Sequence, residues 1–266
     1  MHPILFEVYG RQITSYGLFM ISGAVAAWFF IRLLAGPEGR KNGDISLAFL
    51  MCICGGLVGV FSLRPLMKIP EVIIHWEHFR QMPVEAFFSY VFGELVFYGG
   101  LAGGVTAMLL FCRAHKIPVL PMADLFAPAL AAAHGIGRIG CFLGGCCYGV
   151  TVSPSHPFAI VFPPASLSAP PGVPLLGIQL IEAAGLFMLA AVLAAIYKKT
   201  TVTGLTVCIY GMLYSILRFV LEFYRGDTAR GVYGLFSTSQ YISAALFILS
   251  TILICIIIKK RCSCRE

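Results

Sequence analysis

The sequence predicts an all-α polytopic membrane protein with seven transmembrane helices, and three observations carry that reading. Only 12% of its 266 residues are charged while 59% are apolar, where soluble proteins carry roughly 25% charged residues. So few charges could not cover a soluble globule of this size. The apolar residues gather into runs near the ~20 residues that an α-helix needs to cross a bilayer, and most prolines and basic residues lie between those runs.

Seven runs qualify, at about 15–35, 45–63, 93–113, 121–143, 174–197, 203–224 and 237–258. The fourth is the weakest, because Asp124, Pro128 and Arg138 interrupt it. Together they form one integral membrane domain over residues 1–266, with two unusual connections. The first, at about 66–92 (LMKIPEVIIHWEHFRQMPVEAFFSYVF), mixes His75, Trp76, His78, Phe79 and Arg80 with apolar residues. That is the pattern of an arm lying in the membrane interface. The second, at about 150–173 (VTVSPSHPFAIVFPPASLSAPPGV), holds six prolines and no Asp, Glu, Lys or Arg. Proline at this density excludes a helix, so the stretch is read as an ordered external loop with a short strand near 158–162, or as a small head. Residues 1–11 have no basic region ahead of an apolar core, so the first span is expected to serve as its own insertion signal. The absence of an internal repeat speaks against an inverted-repeat transporter.

Assigning alternate loops to alternate faces sets Arg32, Arg40, Lys41, Arg113, Lys116, Lys198, Lys199, Lys259, Lys260, Arg261 and Arg265 against Arg11, Arg64, Lys68, Arg80, Arg225 and Arg230. Cytoplasmic loops carry the Lys/Arg excess, so the amino terminus is expected outside and the carboxyl terminus in the cytoplasm. The net charge of +7 follows mainly from this bias and suits anionic headgroups. No basic patch with interleaved aromatics argues for nucleic acid as a partner.

Charges inside the spans need a reason, since each costs about 2.5–3.5 kcal/mol at mid-membrane on insertion scales. Arg138 lies in the glycine-rich fourth run; Arg218 and Glu222 stand four apart on the sixth, on one helical face. Glu182 sits beside Gln179 in the fifth, Glu94 begins the third and Asp124 begins the fourth. A purely structural reading pairs Arg218 with Glu222 and Arg138 with Glu182, and lets Asp124 and Glu182 anchor helix ends. The functional reading starts from arginine's permanent charge and planar fork, which match phosphate; two such groups in a lipid-facing bundle point to a phospholipid headgroup. Tyr214, one turn before Arg218, shares its face and favours a polar cavity, while Tyr16, Tyr98 and Tyr148 also fit an interfacial belt. The small residues of GGLAGG (99–104) and GIGRIG (135–140) let helix backbones approach closely.

Most of the ten cysteines are small apolar packing residues in a chain where a secreted disulfide framework is not expected. Cys141, Cys146 and Cys147 are read first as packing, then as lining for a substrate cavity. A metal or redox role comes third, because the spacing lacks the separated pairs of a closed zinc site. His134 lies two helical turns before Cys141 and could join them.

Taken in order, SYGLFM (15–20), FYGGLAGG (97–104), ADLFAPALAAAHGIGRIGCFLGGCCYG (123–149), QLIEA (179–183), LYSILRFVLEFYR (213–225) and STSQYIS (237–243) resemble the motifs of the bacterial prolipoprotein diacylglyceryl transferase family. The resemblance runs over nearly the whole chain. It implies an enzyme of the bacterial plasma membrane that moves the diacylglyceryl group of phosphatidylglycerol to the lipobox cysteine thiol of a prolipoprotein and releases glycerol phosphate, with no metal or cofactor. It makes Arg138 the signature arginine, Arg218 and Glu222 the second polar cluster, Tyr16 the first-span tyrosine and Gly149 the end of the signature. Catalytic candidates are then Arg138, Arg218, Glu222, His134 and Tyr98. Candidates for binding phosphatidylglycerol are Arg138, Arg218, Tyr16, Tyr214, Glu182, Gly99, Gly100 and Gly149.

The chain departs from the family pattern at several of these places. Tyr98 stands where the family has His, Cys141 and Gly144 where it has Asn, and Cys146 where it has Glu; of its HPxQLYE pattern only Gln179, Leu180 and Glu182 remain. His134, which the typical pattern lacks, is the candidate to replace the lost proton acceptor. Two alternatives stay open: a phospholipid-dependent transferase serving another acceptor, and a channel or carrier with a thiol-lined path.

Overall fold

A computed structural model describes residues 3–8, 11–37, 43–92, 97–227 and 231–263. Arg40, Lys41, Glu94, Arg230, Cys264 and Arg265 lie outside the described residues, as do the side chains of Arg11, Tyr98 and Cys262. The chain divides into two compact units, one of Met1–Gly36 with Leu120–Glu266 and one of Pro37–Val119.

Every apolar run forms a helix. Those of the first unit are α1 (Ser15–Leu34), α6 (Val119–Gly144), α7 (Ile178–Lys199), α8 (Leu205–Glu222) and α9 (Thr238–Ser263). The second unit holds α2 (Gly43–Ile74), α3 (Trp76–Arg80), α4 (Val84–Phe92) and α5 (Phe97–Ala114). Among the described residues, six helices are long and apolar enough to cross a membrane, and the third run contributes a shorter apolar stretch, Gly99–Ala114. The protein is thus a multi-pass, all-α membrane protein.

In the first unit, α6 is the central helix. Half of its apolar stretch is buried, against 11% of α9. A helix walled by protein need not satisfy lipid, which is why the weakest run by hydropathy tolerates Asp124, Pro128 and Arg138. Small residues bring α1 onto it: a methyl group on Gly23 would lie 3.0 Å from the Ala133 carbonyl oxygen, and one on Gly140 2.8 Å from Phe19 Cβ. On another side Ala131 of α6 and Leu189, Ala190 and Leu193 of α7 form a buried cluster with Ile209, Tyr210, Leu213 and Tyr214 of α8 packed against it.

Among the described residues of this unit, three two-stranded antiparallel sheets join segments outside the helices: β1 (Ile4–Val8) with β2 (Arg11–Thr14), β3 (Ala159–Val161) with β4 (Pro174–Leu176), and β5 (Val232–Tyr233) with β6 (Phe236–Ser237). The first was not anticipated; it ends at Thr14, whose hydroxyl accepts from the Gly17 N–H at 3.2 Å and caps α1. The strand expected near 158–162 is β3, with Ile160 opposite Leu175. Phe162, Ala169 and Leu175 give the proline-rich loop its own small core, against which Tyr148 packs.

In the second unit the stretch 66–92 is not one interfacial helix. Its first part continues α2 through Pro65 and Pro70 as far as Ile74, because helix-internal prolines are tolerated where neighbouring groups compensate the lost bond. The break comes at His75, whose φ of −109° and ψ of 31° leave the helix. Lys68 then ties α2 to α4: its Nζ lies 2.7 Å from Glu71 Oε2 and donates to the Tyr90 hydroxyl at 2.7 Å.

Candidate functional site

Four helices of the first unit converge on one patch of polar groups. Asp124 near the start of α6 sets two of them side by side, accepting from the N–H groups of Gly204 (2.5 Å) and Val207 (2.8 Å) at the first turn of α8. A carboxylate at a helix N-terminus satisfies donors that have no partner within the helix and opposes the dipole. Gly204 enters that turn at φ +85°, a left-handed conformation that glycine adopts without a Cβ penalty. With α6 and α8 so placed, His134 and Arg138 on α6 face Glu182 and Gln179 on α7 and the stripe Tyr210, Tyr214, Arg218 and Glu222 on α8, whose four-residue spacing keeps it on one face.

The charged groups alternate in sign along a chain. Arg138 Nε lies 3.0 Å from Glu182 Oε2, and Glu182 Oε1 lies 3.9 Å from Arg218 Nη1. Arg218 Nη2 lies 2.7 Å from Glu222 Oε2 and donates to Ser239 Oγ at 3.1 Å. Glu222 Oε2 lies 3.9 Å from Arg225 Nε, and Arg225 grips Asp227 by two hydrogen bonds, at 2.9 and 2.5 Å. Burial works against the charge on Arg225, but the Asp227 carboxylate outweighs it and holds the guanidinium protonated more firmly than in water. Three positive and three negative charges cancel, which makes the burial tolerable: the Glu182 and Glu222 side chains are only 4% and 1% exposed.

The pairing is incomplete among both donors and acceptors. Arg218 Nη1 and Glu182 Oε1 are both buried, too far apart for a hydrogen bond, and neither has another among the described residues. Arg138 approaches Glu182 through Nε at ion-pair distance, and that buried Nε has no hydrogen-bond partner among the described residues. Two guanidinium groups on facing helices therefore share one carboxylate and keep donors for a further anion.

Residues 3–256 match the sequence pattern described as prolipoprotein diacylglyceryl transferase. The chain belongs to that family. It is 36% identical over 248 residues to phosphatidylglycerol–prolipoprotein diacylglyceryl transferase 2 of Clostridium perfringens, covering 93% of this chain and 92% of the relative. The enzyme of Clostridium tetani is 32% identical over 243 residues, covering 91% and 92%. That of Gloeobacter violaceus is 27% identical over 256, covering 94% and 90%. These likenesses favour a membrane transferase over a channel or carrier.

Arg138 thus meets Arg218 and Glu222 through Glu182 on a third helix. His134 lies one turn before Arg138, its ring centroid 5.5 Å from that of Tyr214, which stacks on Tyr210 at 5.7 Å. Tyr16 packs at the α1–α6 crossing; a methyl group on Gly140 or Gly144 would lie 3.5 Å from its Cα or 3.6 Å from its Cβ. Gly149 is a backbone junction. It bridges Arg225, donates to the Leu176 carbonyl at 3.1 Å, and would place a methyl group 2.6 Å from that same oxygen. Tyr98, Gly99 and Gly100 belong to the second unit, where a methyl group on Gly99 would lie 2.3 Å from the Gly59 carbonyl oxygen.

Reading the sequence missed Arg225, which it counted among the basic loop residues, and passed over Asp227. The available signal was spacing: 218, 222 and 225 continue one helical face past the end of α8, and Asp227 follows at once. It also missed that Gln179 Nε2 donates to the Cys146 carbonyl at 2.8 Å, a contact between residues 33 apart that no local pattern reveals.

Proposed function

We propose that this chain transfers the diacylglyceryl group of phosphatidylglycerol to the lipobox cysteine thiol in the signal peptide of a prolipoprotein, in a bacterial plasma membrane with its amino terminus outside and its carboxyl terminus in the cytoplasm. The observation that carries it is the pair of buried arginines, Arg138 and Arg218, sharing Glu182 while keeping N–H donors for a phosphate. The thiolate sulfur attacks the glyceryl carbon bearing the phosphate, a carbon–sulfur bond forms, and the carbon–oxygen bond breaks with its electron pair passing to glycerol phosphate. Negative charge grows on the leaving phosphate, and preorganised guanidinium groups in a site that excludes water stabilise it most in the transition state.

Glu182 and Glu222 act by holding the two arginines. His134, on the face of α6 that carries Arg138, takes the thiol proton, because the thiol is a weak nucleophile until it ionises. Tyr16 and Tyr214 flank the lipid, Gly149 lets three backbone segments meet beside Arg225, and Tyr98, Gly99 and Gly100 are assigned to the reaction on the family resemblance alone.

The test is restoration of lipoprotein maturation in bacterial cells depleted of their own enzyme, read by the mass of a lipoprotein's amino-terminal peptide. The expected result is a diacylglyceryl increment with the native chain and none with Arg138→Ala. A native chain that adds no such mass overturns the assignment. Consumption of labelled phosphatidylglycerol with no prolipoprotein present would instead support transfer to another acceptor.

A further inference from the structure

Beside the phosphate site lies a cluster that the transfer reaction does not use. The Sγ atoms of Cys141, Cys146 and Cys147 all lie within 4.8 Å of one another, and all three thiols are free. Cys141 occupies the last turn of α6 and is buried; the other two stand on the following turn and are partly open to solvent. The turn is built rather than incidental. Gly145 at φ +70° and Cys147 at φ +54° both take left-handed backbone conformations, which strain a non-glycine residue and persist only where the surroundings impose them. The Cys146 N–H donates to the Cys141 carbonyl at 3.0 Å, and the Gln179 side chain holds the Cys146 carbonyl from α7.

We propose that Cys141, Cys146 and Cys147 form a three-thiolate binding site for a soft d10 metal cation of the Zn(II) or Cu(I) type. Metal–sulfur bonds of about 2.3 Å place the sulfurs around one ion roughly 4 Å apart, so closure from the observed spacing needs sub-ångström shifts. Thiolate donors select soft cations, and three of them leave a trigonal site for Cu(I) or a fourth, water-filled position for Zn(II). Binding replaces up to three S–H protons by metal–sulfur bonds and releases those protons to solvent. The guanidinium groups of Arg138 and Arg225 act electrostatically on Cys147, which offsets the negative charge of a three-thiolate complex. Arg138 and Cys141 stand three apart on α6, so an occupied site abuts the proposed phosphate site. The inference stands on the thiol geometry and not on the transfer reaction.

The test uses the full chain, purified in detergent under reducing conditions and titrated separately with Zn(II), with Cd(II) as a spectroscopic substitute, and with Cu(I). One equivalent per chain is expected, with a thiolate-to-metal charge-transfer band in the ultraviolet for Cd(II) and Cu(I). The band is expected to fall at least tenfold in Cys146→Ser and Cys147→Ser and to stay unchanged in Cys54→Ser and Cys255→Ser. In the native chain the metal is expected to slow maleimide labelling of Cys147 at least tenfold, a measurement that needs no variant to fold. Absence of a stoichiometric band, a band indifferent to Cys146 and Cys147, unaltered labelling, or loss of two thiols to a disulfide without metal uptake would each overturn the proposal.

Discussion

The two glycine-rich stretches look alike but pack against different partners. In the second unit, Gly55 and Gly59 on α2 meet Gly99 and Gly103 on α5 so closely that a methyl group on Gly59 would lie 2.0 Å from the Gly99 carbonyl oxygen, and one on Gly103 2.1 Å from that of Gly55. Backbone meets backbone, with no side chain between. In the first unit, the glycines around Arg138 meet side chains instead: a methyl group on Gly135 would lie 2.9 Å from the Phe187 ring and one on Gly140 2.8 Å from Phe19 Cβ. Those glycines seat α6 among its neighbours while Arg138 projects between them to Glu182. A small-residue stripe in a membrane helix is thus a packing device in both places, and the chemistry belongs to the charge set among the glycines.

Substituting in each stretch should break that contrast in opposite ways. Arg138→Ala should show the largest effect, cutting the rate of diacylglyceryl transfer by about 10²–10³-fold and leaving Glu182 short of a buried partner at a cost of roughly 3–5 kcal/mol; transfer kinetics and thermal unfolding in detergent measure the two. Arg138→Lys keeps the charge but loses the planar fork, so it should recover stability more fully than rate. On the packing side, Gly103→Val should destabilise by about 1–3 kcal/mol through overpacking, seen as a lower unfolding temperature, with the surviving folded fraction still active.

Asp124→Ala should remove the cap of α8 at about 0.5–2 kcal/mol and lower activity only in step with the folded fraction; a loss of rate in fully folded protein would give Asp124 a second role. The smallest effect is expected at Gly100. There a methyl group would lie 2.8 Å from Val60 Cγ2 and 3.7 Å from the Gly56 carbonyl oxygen, one close side-chain contact in place of a backbone clash, so Gly100→Ala should change stability by at most about 1 kcal/mol. A marked rate loss in a folded Gly100→Ala protein would show that this glycine serves the lipid as well as the packing.

Much of this was legible before any coordinates. The seven runs became helices, Arg218 and Glu222 four apart became an ion pair, and Arg138 found Glu182 as the purely structural reading had it. That reading and the functional one coexist, since the same network is neutral as a whole and retains donors at Arg138 and Arg218. What local pattern could not show was how long-range packing treats particular stretches. The stretch after Pro65 reads as an interfacial arm by its aromatic and basic composition, yet it continues α2 until His75. The fourth run reads as a poor span by hydropathy, yet it is the helix most enclosed by protein.

The sequence by itself determined the class of protein, the helices and the identity of the family, because hydropathy over about 20 residues and colinear motifs are local properties that survive without knowledge of contacts. Only the tertiary structure decided that Asp124 caps α8, that Gly149 joins three backbone segments, that Arg225 and Asp227 extend the charged chain, and that three thiols meet beside Arg138. Each of these joins residues through space, in directions set by helix crossings and left-handed turns, and no periodicity along the chain encodes those directions.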